Sequence, residues 1–292
     1  MVLRFTAALL TAAALATSAQ AATVFNDKDV ARMVSFGGSC PNCQFSGKKL
    51  PNAVFAGANF TAATLIGSDL RGVEIMGSNF TGADFSRADL RGAEVLGSNF
   101  SRAVFIGAQL DGMEAQGANF SRADLTSADL AGAELVGSNF SAATLYKTRL
   151  AGAELHGANL SAVNGASADF SDSELDGANL SGGHFAKASF RNASLQGARL
   201  TGATLAGADF SGAEMDGADL RGTDLTGVRG LKASQIENAC GDGGTRLPKG
   251  MAVGGACRKV KIIRFGPTSP VRVGVPAPPR PPAPPRPPQR AE

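Results

Sequence analysis

The sequence has no tryptophan, one tyrosine and two histidines among its 292 residues. Because phenylalanine is nearly the only aromatic residue, a stacking platform for sugars or bases is not expected. His156 and His184 have no nucleophile or metal ligand at a useful spacing, and no phosphate-binding loop, zinc motif or nucleophile elbow occurs. We therefore predict no enzyme activity, no catalytic or metal-binding residue and no cofactor, and we do not expect nucleic acid as a partner.

The sequence contains one five-residue motif, Ala-(Asp/Asn)-(Leu/Phe)-x-Gly, which repeats from Phe45 to Leu225 without a change of register. The large apolar residue falls on residue numbers divisible by five, a spacing that fits neither a helix nor a plain strand. A strict short repeat is typical of a stacked solenoid. We predict that the large residue and the small residue two positions before it face the interior, and that the other three positions face water.

A second, longer period separates the repeats into four kinds. Every twentieth position gives a column of glutamates, interrupted only by Ser194, and a neighbouring column of asparagines from Asn59 to Asn179. The glutamates are Glu74, Glu94, Glu114, Glu134, Glu154, Glu174 and Glu214. Four distinguishable columns predict four faces, and stacked asparagines are expected to hydrogen-bond to one another.

These repeats, of which residues 83–92 (Ala-Asp-Phe-Ser-Arg-Ala-Asp-Leu-Arg-Gly) are a sample, resemble the pentapeptide repeat family. The resemblance implies an all-β solenoid, a right-handed quadrilateral β-helix with one repeat on each side and four repeats in each coil. Over residues 43–229 the fold would have about nine coils. Short helical caps are expected at both ends, because a repeat array must cover its open core.

The two core positions Gly165 and Ala115 break the pattern, because each carries a small residue where the repeat has a large one. We expect a void at each position, or a neighbouring side chain that fills it. The dipeptide Asn164-Gly165 also predicts a local turn.

Before the repeats, residues 1–21 predict a signal peptide, with an apolar run over residues 7–16 and the small-x-small pattern at 19–21. An uncleaved membrane anchor is the alternative; after cleavage no transmembrane segment is expected. Residues 22–42 are predicted as the N-terminal cap, with a short helix over residues 26–36. The predicted location is the periplasm or the outside of the cell.

The four cysteines lie at the two ends of the repeat array. In an exported chain, Cys40-Pro41-Asn42-Cys43 favours a structural disulfide over redox chemistry or, more weakly, zinc binding. Because bridged Cα atoms lie within about 7 Å, opposite ends of a rod cannot be joined. The sequence therefore favours Cys40–Cys43 and Cys240–Cys257.

After the repeats, residues 230–265 are predicted as a C-terminal cap that contains a helix over 231–239 and the Cys240–Cys257 pair. Residues 266–292 are rich in proline and arginine and predict a disordered, extended tail. The repeat region, 41–230, has 14 Lys and Arg against 20 Asp and Glu, whereas residues 231–292 have 11 against 3. The basic tail suggests contact with the cell envelope.

The glutamate column is our candidate interaction face, together with Met76, Leu96 and Val136 beside it, because exposed apolar columns suggest a partner surface. Stacked carboxylates repel unless cations or basic groups intervene, and Arg71 and Arg91 are candidates for that role. A linear cation-binding face is one interpretation, and a solvated, solubilising face is the other.

We predict a non-catalytic, exported structural or interaction module with an unidentified protein partner. The resemblance also implies an alternative, since some pentapeptide repeat proteins mimic DNA and bind topoisomerases such as gyrase. The predicted export argues against that reading. A second alternative is a cell-envelope binder that acts through the basic, proline-rich tail.

Overall fold

The computed structural model describes residues 38–257, which wind into a stack of coils. Parallel backbone bridges join each bridged residue to the one twenty positions later, from Ser39↔Asn59 to Asp209↔Arg229. The bridged residues form four series, offset by one repeat from each other, so every coil has four sides. The signal peptide, the N-terminal helix over 26–36 and the tail over 266–292 were predicted for residues that lie outside this description.

Strands of two or more residues are few, because on most sides only one residue of each coil is bridged to the next coil. β1 (Val54–Ala56) pairs in parallel with β2 (Glu74–Met76), and β3 (Cys240–Gly241) pairs in parallel with β4 (Gly255–Ala256). The one helix in the described part of the chain is a single 3-10 turn, η1, over Ala233–Gln235.

The interior is formed by the two positions that the repeat predicts. Phenylalanine rings stack face to face along one side, with centroids 4.9 to 5.5 Å apart from Phe60 to Phe140. Beside them, each asparagine from Asn79 to Asn179 donates its amide to the oxygen of the asparagine one coil earlier, at 3.1 to 3.4 Å. The predicted asparagine ladder is confirmed.

The Asp or Asn before the large residue also holds the corner that follows. The Oδ1 of Asp84 accepts the backbone N–H of Ser86 at 2.9 Å, and Asn99 does the same for Ser101 at 3.0 Å. These short side chains therefore satisfy backbone donors that the turn leaves unpaired. The repeat pattern predicts that this position faces water and that its asparagines pair along their column, but it does not predict this contact with the turn.

The missing side chain at Gly165 is replaced by a neighbour. A Cβ on Gly165 would lie 2.6 Å from Cδ1 of Phe185, and a Cβ on Gly183 would lie closer still to the other edge of that ring. Phe185, in the next coil, therefore fills the space between two glycines. Of the two expected outcomes, the filled one is found here.

The unit that contains Ala115 has a larger residue at its other inward position. Met113, two residues earlier, is fully buried at a position that is alanine in most repeats. The methionine supplies apolar volume in the same unit, because its long side chain adapts to irregular gaps.

The predicted helix over 231–239 is wrong. The chain continues to wind past Gly230, with Asp219 bridged to Cys240 and Asp224 bridged to Arg246, so the bridged partners are slightly further apart in sequence than in the repeats. Leu231 and Ile236 are both buried and are separated by one repeat length, so their spacing is that of the coil and not of a helix.

The single turn η1 in this segment is held by Gln235. Its side-chain amide donates to the carbonyl oxygens of Phe210 and Ala213 at 2.8 and 2.6 Å. These bonds fix η1 against the preceding coil.

We predict that Gly165→Leu, which restores a large residue at this position, destabilises the protein by about 1–3 kcal/mol because the site is already filled. Chemical unfolding measures the change. The double variant Gly165→Leu/Phe185→Leu provides the control, since the shorter side chain frees space for the new leucine. A single variant more stable than the natural protein would contradict this account.

Candidate functional site

One side of the solenoid carries the glutamate column, and we call it the glutamate face. It comprises residues 73–77 and the equivalent segment of each later coil, up to 213–217. Parallel bridges join Glu74 to Glu94 and continue coil by coil to Glu174, Ser194 and Glu214. The sequence-derived column is therefore one continuous row, with neighbours about 4.8 Å apart.

The glutamate face has charge of one sign. Its residues include no Lys or Arg. It carries the seven glutamates of the column together with Asp176 and Asp216. Stacked like charges destabilise a sheet unless something neutralises them.

The arginines that we proposed as neutralising groups do not reach this row. Arg71 binds Asp69 through two hydrogen bonds of 2.8 Å, and Arg91 binds Asp89 at 2.9 and 2.7 Å. Each arginine therefore pairs with the aspartate two residues earlier, on the preceding side of the coil. The hydrogen bond from Arg91 holds the pKa of Asp89 below its usual range, and Arg71 lowers the pKa of Asp69 in the same way.

The column glutamates do not accept a hydrogen bond from the turn that follows them, whereas aspartate and asparagine on the other sides do. In the part of the chain that the structure describes, the column glutamates accept no hydrogen bond from the backbone N–H two residues later, unlike Asp84 or Asn99. The extra methylene carries the carboxylate away from the corner, so the group is left for other partners.

Whether a glutamate has a side-chain hydrogen-bond partner depends on a second row of residues on the same face. It consists of the residues two positions after each column member. Where this residue is glutamine or histidine, it binds the glutamate of the next coil. The pairs are Gln116 Nε2 with Glu134 Oε2 at 2.5 Å, His156 Nε2 with Glu174 Oε2 at 2.6 Å, and Gln196 Nε2 with Glu214 Oε2 at 2.9 Å.

Where the second row is apolar, the next glutamate has no side-chain partner among residues 38–257. Met76 precedes Glu94, Leu96 precedes Glu114, and Val136 precedes Glu154. The three apolar side chains are 43, 37 and 38% exposed. Free carboxylates and exposed apolar groups thus occur together, and we call these six residues the open patch.

Other exposed apolar groups lie both beside and away from the open patch. Val54, which is 37% exposed, is bridged to Glu74 in the coil before the glutamate face, whereas Ile106 and Tyr146, 42 and 39% exposed, lie on the side that begins two faces away. Lys147 Nζ lies 5.2 Å from the centroid of the Tyr146 ring, so this tyrosine already has a cation–π partner.

Both disulfides have the pairing that the sequence favours. Cys40 and Cys43 have Cα atoms 5.5 Å apart, and Cys240 and Cys257 have Cα atoms 4.7 Å apart. Asp219 lies beside Cys257, with its Oδ1 3.3 Å from the sulfur. Because these sulfurs are bonded to each other, they are not the thiolates that a zinc site requires.

A sequence profile described as pentapeptide repeats matches the chain in eight copies. The matched residues are 40–74, 77–105, 103–141, 143–182 and 188–227, which is more than half of the sequence. The chain belongs to the pentapeptide repeat family. Pentapeptide repeat proteins fold as right-handed β-helices, in agreement with the four-sided coils described above.

Solved structures of other pentapeptide repeat proteins also match. HetL from the cyanobacterium Nostoc sp., which is involved in heterocyst differentiation regulation, is 26% identical, with a TM-score of 0.44 over 76% of this chain and 100% of HetL. Full-length QnrB1, a plasmid-mediated fluoroquinolone resistance protein, is 20% identical, with a TM-score of 0.29 over 70% and 94%. A thylakoid lumen protein of Arabidopsis thaliana is 28% identical, with a TM-score of 0.22 over 40% and 68%. No curated protein matches the chain.

In this pentapeptide repeat protein, residues 38–257 include no helix with the length and apolar character needed to cross a membrane. The sequence predicts the glutamate column and the apolar residues Met76, Leu96 and Val136 beside it, but the hydrogen bonds between the two rows were not predicted. The sequence does hold a signal for these bonds, because the second-row residue one coil before each glutamate is polar in some coils and apolar in others.

We predict that the double variant Glu94→Gln/Glu114→Gln is more stable than the natural protein by about 0.5 kcal/mol at low salt, because it removes repulsion between stacked carboxylates. Thermal unfolding at low salt and at 1 M salt measures the effect. The gain should vanish at 1 M, where charges are screened over about 3 Å.

Asp89→Asn is the matched control and should have the opposite sign. Because Arg91 lowers the pKa of Asp89 in the folded state, the ionised carboxylate favours folding. This contribution is present above the ordinary carboxyl pKa of about 4 and is lost as the pH falls through the lower folded pKa. A glutamate variant that is less stable, or a gain that persists at 1 M salt, would refute the repulsion.

Proposed function

We propose that this pentapeptide repeat protein is an exported, non-catalytic interaction module that presents the glutamate face to a protein partner. The observation that carries the proposal is the open patch, in which exposed apolar side chains alternate with carboxylates that have no side-chain partner among the described residues. Partner surfaces combine apolar contact area with charge that selects the partner.

The scaffold suits such a role because it is already ordered. Each coil is hydrogen-bonded to the next through the backbone, as in Phe80 N–H to Asn99 O at 2.7 Å and Asn79 N–H to Ala58 O at 2.8 Å. A surface fixed in this way loses little conformational entropy when it binds. This supports a preformed recognition surface and requires no chemical step and no cofactor.

The DNA-mimic alternative receives less support from the charge distribution. Duplex DNA carries one negative charge per about 1.7 Å along its axis, whereas residues 41–230 have a net charge of −6, or one per about 7 Å over about nine coils. The charge is also confined, since the neighbouring side pairs Arg71 and Arg91 with aspartates. The negative charge of this protein therefore resembles that of a duplex only weakly, and on one side.

Export is the part of the proposal that rests on residues 1–21, and cell fractionation tests it. We expect the processed chain in the periplasm or the medium, with a mass reduced by the loss of the predicted signal peptide. Deletion of residues 266–292 in the same experiment tests the envelope-binding alternative, which requires that sedimentation with envelope be lost. Unprocessed protein in the cytoplasm would contradict export and revive the topoisomerase reading.

The partner role is tested by affinity capture from a periplasmic extract. We expect a specific partner to be retained by the natural chain and lost by the triple variant Glu94→Gln/Glu114→Gln/Glu154→Gln, which removes three negative charges from the open patch. A partner captured equally by both proteins would show that this face is not the binding surface.

A matched control adds the same charge elsewhere. Ala62, Ala142 and Ala162 lie in the corner column that naturally carries Arg102 and Arg122, all with φ between 55 and 59°. Replacing the three alanines by arginine changes the net charge by three units, as the glutamine variant does, while leaving the glutamate face intact. Capture should survive in this variant.

A further inference from the structure

We infer that the open patch binds a basic amphipathic helix, aligned with the axis of the solenoid and spanning the coils from Glu74 to Glu154. The inference rests on the proposed function and adds to it the chemistry and the shape of the partner. It is carried by the pairing pattern of the glutamates, the charge of the face and the spacing of the coils.

The pairing pattern defines the extent of the contact. Glu134, Glu174 and Glu214 are already bound by Gln116, His156 and Gln196, so they offer less to a partner. The unbound carboxylates of Glu94 and Glu114 lie in consecutive coils, and Glu154 lies two coils further on. The contact is therefore centred on the N-terminal half of the glutamate face.

The charge of the face defines the sign of the partner. No Lys or Arg occurs among the residues of the glutamate face, and Arg71 and Arg91, three residues before Glu74 and Glu94, are engaged by Asp69 and Asp89. Basic side chains supplied from outside would relieve the repulsion along the row and gain charge-assisted hydrogen bonds. Met76, Leu96 and Val136 lie two residues after the glutamates of their own coils, where the face reaches its corner, and require apolar groups beside the basic ones.

The spacing favours a helix over the other regular conformations. Coils repeat every about 4.8 Å, and a helix presents one residue of a stripe every about 5.4 Å. The mismatch reaches only about 2 Å after three turns, which flexible Lys and Arg side chains absorb. A β-strand presents one residue of a stripe every about 6.7 Å, so it loses one-to-one register with the coils by its second step and leaves about one coil in four without a partner residue.

The repeat length of a polyproline II segment excludes that conformation. It repeats every about 9.3 Å and would contact alternate coils only, so either Glu94 or Glu114 would stay unpaired. The distance from Glu74 to Glu154 is about 19 Å, equivalent to about 13 residues of helix. A partner helix of this length needs a basic stripe at i, i+4, i+7 and i+11 beside an apolar stripe.

The test uses the full chain and three synthetic peptides, each long enough for about four helical turns, measured by fluorescence anisotropy at 50 and 300 mM salt. The first peptide has adjacent basic and leucine stripes at helical spacing. The second has the same composition in alternating, strand-like order, and the third replaces the leucines by alanine. We expect the first to bind at least about tenfold more tightly than either of the others.

Variants of the protein locate the contact. Binding of the first peptide should weaken by about tenfold in Glu94→Gln/Glu114→Gln/Glu154→Gln and in Met76→Ser/Leu96→Ser/Val136→Ser. It should be unchanged in Ala62→Arg/Ala142→Arg/Ala162→Arg, and thermal unfolding verifies that all variants are folded. Equal binding of the three peptides, or binding that ignores the open-patch variants, overturns the inference.

The two proposals fail separately. If the periplasmic partner depends on the three glutamates but the helical peptide does not bind, the interaction module stands and the helix does not. If the strand-patterned peptide binds best, the face recognises an extended segment instead, which also overturns the helix.

Discussion

The backbone hydrogen bonds between coils determine nearly everything else in this protein. They join successive coils with parallel register throughout the array, as in Leu90 N–H to Gln109 O at 2.7 Å and Asp89 N–H to Ser68 O at 2.9 Å. Because the register never changes in residues 39–229, every side chain lies directly above the equivalent side chain of the previous coil. A column in the sequence is therefore a row in space.

Stacking like on like has opposite consequences for different side chains. An asparagine can both donate and accept, so Asn99 binds Asn79 and is bound by Asn119, and the row is favourable. Phenylalanine rings stack with similar benefit, as Phe120 and Phe140 do at 4.9 Å. Ionised glutamates can only accept hydrogen bonds, so the same geometry places repelling charges side by side.

The repeat predicts the coil, its four sides and its inward residues because each depends only on periodicity. It does not predict how neighbouring rows compensate one another. A neighbouring side chain was one of two expected outcomes at Gly165, but the pattern does not identify it as Phe185, which enters from the next coil. Arg71 was expected to reach Glu74 but binds Asp69, because the aspartate lies on the same side, before the corner.

The end of the array shows the same limitation. Leu231, Ile236 and Ala239 suggested a helix, but the chain continues to pair with the preceding coil. Tertiary pairing therefore overrides the local helical pattern, and only the turn η1 is helical.

On the glutamate face, a single position in each coil controls whether the charge is available. Gln116 and His156 turn the carboxylate of the next coil into an internal hydrogen-bond partner, whereas Leu96 leaves Glu114 open and adds an apolar contact beside it. Substitution at this position would move the open patch along the rod without changing the backbone. Because the backbone is set by the coil-to-coil hydrogen bonds, recognition can be altered at the surface independently of the fold.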